Sequence, residues 1–228
     1  MMLHSYPLPL AADETSIDWM FVADTLNFSF WGLEEGHHYA VELHGKQYTG
    51  YMALCAALTR AVEVSLLGMN LINLTQNWSI LWQIWFFSRS SALNLQAGIP
   101  ITSSKFYANI TEKDVREIFA SSSSNEIPLV EERVKNLQES GKILNEKFGG
   151  SFANCIRQCN ESACELLKLI TTEFTSFRDE GVIQGKRVSF YKRAQILVGD
   201  IWGLFRGNGL GKFHDINSLT MFADYRCE

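Results

Sequence analysis

The chain has 228 residues and a formal net charge of −5, from 20 basic and 25 acidic side chains. An apolar fraction of 46% and a charged fraction of 20% exclude an intrinsically disordered protein, because disordered chains lack the apolar surface to form a core. The acidic balance argues against a protein that wraps duplex nucleic acid, which usually presents a basic surface. Five scattered cysteines and no recognisable secretory leader predict a reducing compartment, the cytoplasm or the nucleus.

The chain begins with an aromatic and apolar segment, Thr15–Trp31, in which Asp24 and Asn27 are embedded. A β-hairpin is predicted over 39–48, where apolar residues alternate on either side of a His-Gly turn. Residues 51–62 then carry an apolar stripe with helical spacing, which predicts an amphipathic helix.

Residues 64–88 carry no charge and include three of the six tryptophans. The length of this segment suits a membrane span, but its Asn and Gln side chains would each be costly in hydrocarbon. We therefore predict a buried or inserted segment rather than a transmembrane helix, and we do not expect a membrane partner.

The second half of the chain predicts helices almost to its end. A capping box at Thr111–Asp114 opens a short helix, and Asp215 is placed to cap a final helix that runs through Met221. Because the glycine-rich loop 207–211 follows a helix, we interpret it as a connection and not as a phosphate-binding loop. The other apolar stripes with helical spacing are 130–148, 156–170 and 190–205. The patterns predict a mainly α fold with one small β-hairpin, in a single domain 1–228.

Three cysteines, Cys155, Cys159 and Cys164, are close enough in sequence to suggest a metal site. Cys155 and Cys159 share a helix face, but Cys164 does not, and no nearby histidine completes a tetrahedral set. We favour ordinary buried thiols, and we expect neither a metal nor a cofactor.

A basic cluster surrounds the start of the predicted helix 190–205: Lys186, Arg187, Lys192 and Arg193. Cations are disfavoured at a helix start by the helix dipole, so an anionic ligand such as a monophosphate would account for them. The alternative is a solvated basic face opposite the apolar stripe. We favour this alternative, because most charge clusters in proteins are exposed to solvent.

The final stretch places Phe222, Asp224, Tyr225 and Arg226 together, and Asp215 precedes them. Hydrolysis of a base–ribose bond needs a carboxylate against the sugar cation and an aromatic ring that stacks on the base. The alternative is a structural ion pair of Asp224 with a neighbouring cation, beside a core phenylalanine.

Several collinear strings resemble the queuosine-salvage protein family, the queuosine 5′-phosphate N-glycosylase/hydrolases. The strings are DTLNFSFW (24–31), IPLVEER (127–133), GKIL (141–144), KFGGSF (147–152), GKRVSFYKRAQIL (185–197) and TMFADYR (220–226). The resemblance implies a helical architecture similar to DNA glycosylases. It also implies hydrolysis of queuosine 5′-monophosphate, which frees the base queuine for tRNA modification.

The resemblance makes Asp224 the nucleophile or transition-state stabiliser and places Phe222 against the base. A base-contacting histidine of the family falls near His4, about one residue out of register. Queuine carries an amine and a diol, so we add Asp24 and Asn27 as polar groups facing the base.

The remaining candidates for substrate binding are Lys192, Arg193, Asp215, Tyr225 and Arg226. The small-molecule partners are queuosine 5′-monophosphate and queuine.

The chain departs from the family at two places. Family members continue with a further helical segment beyond this sequence, and residues 64–97 replace a very short link. We therefore expect a truncated variant with a non-family insert at 64–97 and with the C-terminal part of the fold missing. The alternatives to an N-glycosidase are a catalytically inactive isoform that binds queuine, nucleotides or protein partners, and a membrane-attached form that rests on the insert alone.

Overall fold

In the computed structural model the described residues are 7, 11–30, 38–63, 99–220 and 222, together with the backbone of 64–74. The fold in these ranges is mainly α, as predicted, with two small antiparallel strand pairs. The helices are α1 (Glu14–Thr25), α2 (Gly50–Leu74), α3 (Ser104–Tyr107), α4 (Glu112–Ile118), α5 (Val130–Lys147), α6 (Ala153–Arg157), α7 (Ala163–Glu173) and α8 (Lys192–Phe205). The strands are β1 (Ala40–Leu43), β2 (Lys46–Thr49), β3 (Glu180–Ile183) and β4 (Lys186–Ser189). Short 3₁₀ turns lie at Thr175–Phe177, Gly209–Gly211 and Ile216–Ser218.

Helix α1 lies at the centre of the core. Its N-terminus is capped by the side chain of Asp13, which accepts a hydrogen bond from the Ser16 N–H at 2.8 Å. Every residue from Ile17 to Thr25 except Asp18 is buried, so α1 has no solvent-facing stripe. The ring of Phe21 stacks on Phe152, the residue before α6, with centroids 4.5 Å apart, which joins α1 to the start of α6.

The predicted hairpin at 39–48 is confirmed by β1 and β2, which pair from Ala40 with Thr49 to Leu43 with Lys46. Positive φ angles of 51° at His44 and 74° at Gly45 identify a two-residue turn whose twist matches the strands. Both strands pack against α2, which runs on to Leu74, past the predicted end of the helix at residue 62.

The predicted helix 130–148 is confirmed by α5, and it crosses α3 at very short range. A Cβ atom on Gly141 would lie 2.6 Å from the Ala108 nitrogen and 2.8 Å from the Ser104 carbonyl oxygen. Only glycine therefore permits this crossing. The predicted capping box at Thr111 and Asp114 is also present at the start of α4.

Two predictions of the second half are wrong. The stripe 156–170 is divided between α6 and α7, because Asn160 and Glu161 take positive φ angles that end the first helix. Asp215 precedes only the 3₁₀ turn Ile216–Ser218 and makes no side-chain cap there. Its carboxylate instead caps α7.

The second hairpin, β3–β4, is absent from the sequence prediction. It pairs Glu180 with Ser189 and Ile183 with Lys186, and it turns at Gln184-Gly185 with positive φ at both residues. The predicted helix 190–205 begins after it, at Lys192, and Phe190 is exposed rather than part of the apolar stripe.

Among the helices that the structure describes, none is both long enough and apolar enough to cross a membrane. All side chains of the uncharged segment 64–88 lie outside the described residues.

Candidate active site

Asp24, predicted to face the base, lies at the end of the central helix α1 and is completely buried. Its Oδ1 accepts a hydrogen bond from the Asn27 Nδ2 at 3.3 Å, while its Oδ2 has no partner among the described residues. Burial raises the pKa of Asp24 well above its ordinary value, and the negative charge of Asp200 raises it further. The Asn27 hydrogen bond and the charge of Arg193 offset only part of this increase.

Asp200 reaches the same region from α8, which packs against α1. Its side chain is half-buried, and this burial raises the pKa of Asp200 to about 6. Asp200 makes no hydrogen bond or ion pair with another described residue. The charge of Asp200 therefore acts on the buried Asp24 with little compensation, and we name these two residues the acid pair.

Helix α2 supplies the third side of this acid pair through Tyr51 and Cys55, which lie one helical turn apart. Burial raises the pKa of Tyr51 well above its usual range, and the charges of Asp24 and Asp200 add to the increase. The Tyr51 ring also meets Phe30 edge-on, with centroids 6.4 Å apart. The acid pair thus lies on α1 and α8, and its charge reaches Tyr51 and Cys55 on α2.

Arg133 of α5 fixes the chain that follows Asp24. Its guanidinium is completely buried and donates to the carbonyl oxygens of Leu26 at 2.8 Å, Phe28 at 2.6 Å and Ser29 at 2.9 Å. It also donates to Pro128 at 2.8 Å and lies 4.5 Å from the centre of the Phe28 ring. Burial lowers the pKa of Arg133 to about 10, so it stays charged at neutral pH.

Arg193, a predicted phosphate ligand, holds the same segment from the other side. It donates to the Thr25 carbonyl oxygen at 2.9 Å and to the Ser176 carbonyl oxygen, and its Nε lies 3.9 Å from Asp179. Its guanidinium also lies 5.2 Å from the centre of the Phe28 ring. We name the segment 25–30 with Arg133 and Arg193 the arginine clamp.

An open cavity of about 460 Å³ lies beside the arginine clamp. It brings together three of the predicted site residues, Asn27, Lys192 and Arg193. The other lining residues are Phe28, Ser29, Asp179 and Phe190.

The predicted basic cluster is divided by the structure. Lys186 and Arg187 lie on β4 of the second hairpin and not at the helix start, and Arg187 forms an exposed ion pair with Glu180. Lys192 and Arg193 alone belong to the cavity, because the hairpin separates the two halves of the cluster.

Phe222, the predicted base platform, is 36% exposed and lies against α8. A Cβ atom on Gly199 would stand 3.3 Å from the Phe222 Cζ, so the ring tip rests on the helix backbone one residue before Asp200. His4, Asp224, Tyr225 and Arg226 lie outside the described residues.

Asp215, a predicted substrate ligand, caps helix α7 from a distant part of the chain. Its carboxylate accepts hydrogen bonds from the Ser162 hydroxyl at 2.7 Å, the Ala163 N–H at 2.5 Å and the Cys164 N–H at 3.2 Å. Burial alone would raise the pKa of Asp215, but these donors hold it well below its usual value. Both carboxylate oxygens are therefore already engaged by the protein.

The described cysteines are unpaired, with Cys55, Cys155 and Cys159 buried and Cys164 exposed. Within the described ranges no three His, Cys, Asp or Glu residues are arranged to hold a metal ion. The buried-thiol interpretation is therefore right for Cys155 and Cys159 and wrong for Cys164.

Two residues of the site, Asp200 and Arg133, were missed from the sequence. Asp200 follows Leu197 by three residues and so lies on the apolar face of its helix, a position where a lone acid is unusual. That signal was available. For Arg133 no comparable signal exists, because an arginine in a charged helix ordinarily faces solvent.

Comparison with known proteins identifies the family. A sequence model described as the queuosine salvage protein matches residues 8–77 and 74–228. The chain belongs to the queuosine salvage protein family. The two matched ranges meet inside the segment 64–97, whose interpretation as an insert remains a prediction.

The curated relatives carry the name queuosine 5′-phosphate N-glycosylase/hydrolase. The protein from Mus musculus is 46% identical over 218 residues, which cover 96% of this chain and 55% of the relative. The Bos taurus protein is 45% identical over 96% of this chain and 54% of its own length. The Schizosaccharomyces pombe protein is 37% identical, with coverages of 96% and 56%. This chain thus spans about half the length of the curated relatives it matches.

Proposed function

We propose that this chain acts in the hydrolysis of the N-glycosidic bond of queuosine 5′-monophosphate, which releases the base queuine for reuse in tRNA modification. The observation that carries the proposal is family membership together with relatives of 37–46% identity that bear the name of this activity. Water is the second substrate, and neither a metal nor a cofactor is required.

The catalytic residue in this proposal is Asp224. As the bond between base and ribose breaks, positive charge grows on the sugar, and an ionised carboxylate stabilises that charge more than it stabilises the neutral ground state. Phe222 stacks on the departing base, and its exposed ring on α8 supports this role. His4, Tyr225 and Arg226 complete the contacts around the sugar and the base.

The base faces Asp24 and Asn27, and the phosphate binds beside Lys192 and Arg193. The phosphate position is supported by a cavity that is lined by Asn27, Lys192 and Arg193. Because Arg193 already donates to two carbonyl oxygens, Lys192 is the residue that can change without releasing the arginine clamp.

We also propose that the helical arrangement is that of DNA glycosylases and that 64–97 is a non-family insert in a single domain. Support for the first comes from the mainly α fold. The free cysteines of the described residues suit a reducing compartment, and we place the protein in the cytoplasm or nucleus.

The experiment is chromatographic detection of free queuine after incubation with queuosine 5′-monophosphate. Asp224→Asn keeps the shape and removes the charge, so turnover should fall by at least about a hundredfold, while substrate binding stays within a few-fold. Glu131→Gln, which neutralises an exposed acid on α5, is the matched control and should leave turnover unchanged. Unchanged turnover in Asp224→Asn would remove Asp224 from the mechanism.

A second variant tests the phosphate position. Lys192→Gln should weaken binding of the monophosphate by about ten- to a hundredfold and leave the unphosphorylated nucleoside unaffected. Lys186→Gln on the exposed hairpin is its control. Equal losses for the two ligands would contradict the assignment.

Binding of queuosine 5′-monophosphate without any release of queuine would favour the inactive, ligand-binding alternative.

A further inference from the structure

The acid pair Asp24–Asp200 is a costly arrangement that the fold itself does not need. Asp24 is completely buried under the influence of the negative charge of the half-buried Asp200, and one of its oxygens, Oδ2, has no hydrogen-bond donor among the described residues. Burying a charged or polar oxygen without a partner is unfavourable, so such a group usually marks a place where function opposes stability.

The charges around the pair do not neutralise it. Arg193 lies on the same face of α8 as Asp200, two helical turns earlier, but it donates to the carbonyl oxygens of Thr25 and Ser176 and lies near Asp179. Tyr51 and Cys55 on α2 have pKa values that burial raises well above their ordinary ranges, so both are neutral at physiological pH. Asn27 satisfies one oxygen only.

The position of the pair connects it to the proposed base site. Phe222 rests on Gly199, the residue before Asp200, and both Phe222 and Asp200 retain exposed surface. A flat base stacked on Phe222 would therefore lie next to the helix turn that carries Asp200. Asp24 lies behind, too deep for direct contact but near enough to act through its charge.

We propose that Asp24 and Asp200 form an anionic subsite that selects a base bearing a protonated amine, with Asp200 contacting the ammonium and Asp24 adding charge from behind. This inference rests on the proposed function, since the base of its substrate carries such an amine. It adds to that function a basis for selectivity, because the anionic subsite would favour a cationic base over neutral deazaguanine bases.

The proton balance of the binding step follows from the pair. Without ligand, burial raises the pKa of both carboxyl groups and the charge of Asp200 raises that of Asp24 further, so near pH 6 the pair holds a proton. When the ammonium binds, its positive charge favours two ionised carboxylates, and the proton passes to the buffer. Binding should therefore strengthen as pH rises through about 6 and should release up to one proton.

The experiment is calorimetric titration of the full chain with two bases of similar size, 7-aminomethyl-7-deazaguanine, which is cationic, and 7-cyano-7-deazaguanine, which is neutral. The wild type should prefer the amine by about ten- to a hundredfold, the effect of one charge-assisted contact. Asp200→Asn and Asp24→Asn should lose that preference and still bind the nitrile. Titrations in two buffers of different ionisation enthalpy should detect proton release in the wild type only.

Asp24→Asn also separates selectivity from folding, because removing the repulsion should raise the melting temperature at pH 7.5 while the preference for the amine is lost. Glu131→Gln should change neither. A preference for the amine-bearing base that persists in both Asn variants would refute the subsite. A wild type that shows no such preference but still binds or cleaves queuosine 5′-monophosphate would also refute the subsite, while the proposed function would stand. If the wild type binds neither base and does not bind or cleave the nucleotide, both fail.

Discussion

Replacing Arg133 by lysine tests whether the arginine clamp holds the chain beside the candidate site. Lysine keeps the positive charge but cannot reproduce the planar fork that reaches four carbonyl oxygens. If two or three buried carbonyls lose a donor at about 1–1.5 kcal/mol each, Arg133→Lys should lower the free energy of unfolding by roughly 2–4 kcal/mol. For a chain of this length, about 2–4 °C per kcal/mol gives a fall of roughly 4–16 °C in melting temperature.

The measurement is urea denaturation together with thermal melting at neutral pH. Arg157→Lys is the matched control, because Arg157 is exposed and pairs only with Asn154 and Glu14 among the described residues, so its loss should stay within about 0.5 kcal/mol. Arg133→Lys should also weaken ligand binding below its melting temperature, since it releases the backbone next to Asn27. Equal melting temperatures for the two variants would refute the inference that the carbonyls depend on the guanidinium.

Three further predictions concern Asp215, Asp18 and the segment 64–97. Asp215→Ala should lower the free energy of unfolding by about 2 kcal/mol, because it uncaps α7, and it should leave nucleotide binding unchanged in titrations. Lost binding at an unchanged melting temperature would instead show that Asp215 contacts the ligand. Burial raises the pKa of Asp18 to about 6, so its contribution to stability is present below pH 3.8 and is lost as pH rises through 6. Asp18→Asn should therefore flatten the fall in melting temperature between pH 4 and 7, and an unchanged slope would contradict this. Deletion of 64–97 should raise soluble yield and melting temperature if the segment is an insert, whereas an unfolded product would show that it belongs to the core.

Local sequence signals predict the fold where the determining residues are neighbours in sequence. The hairpin at 39–48 follows from alternation and a His-Gly turn, and the capping box at Thr111 follows from a three-residue spacing. The second hairpin carries a comparable Gln-Gly signal at 184–185, but the basic residues on either side of the turn lack the apolar alternation that marks the first hairpin.

The errors arise where distant residues decide the local structure. Asp215 has the sequence position of a cap for the chain that follows, yet its donors lie more than 50 residues earlier, on α7. Similarly, the apolar period of 156–170 continues through Asn160 and Glu161, so hydrophobic spacing cannot reveal the break between α6 and α7.

The candidate site likewise combines features that local sequence predicts with features that depend on residues far apart in sequence. Asp24 and Asn27 were proposed as polar partners for the amine and diol of queuine, and the structure places them together at the end of α1. Asp200 could have been found by its position on an apolar helix face. The partnership of Asp24 with Asp200 could not, because it depends on how α1 and α8 pack.

The arginine clamp has a consequence for synthesis on the ribosome. The Thr25 carbonyl oxygen receives its hydrogen bond from Arg193, a residue 168 positions later, and Leu26 receives one from Arg133 after 107 positions. The N-terminal segment is therefore translated long before its partners exist, and contacts of such long range form late in folding. During that interval the aromatic stretch around Phe28 is a natural substrate for chaperones, and a nascent chain that stalls before residue 193 would leave it uncovered.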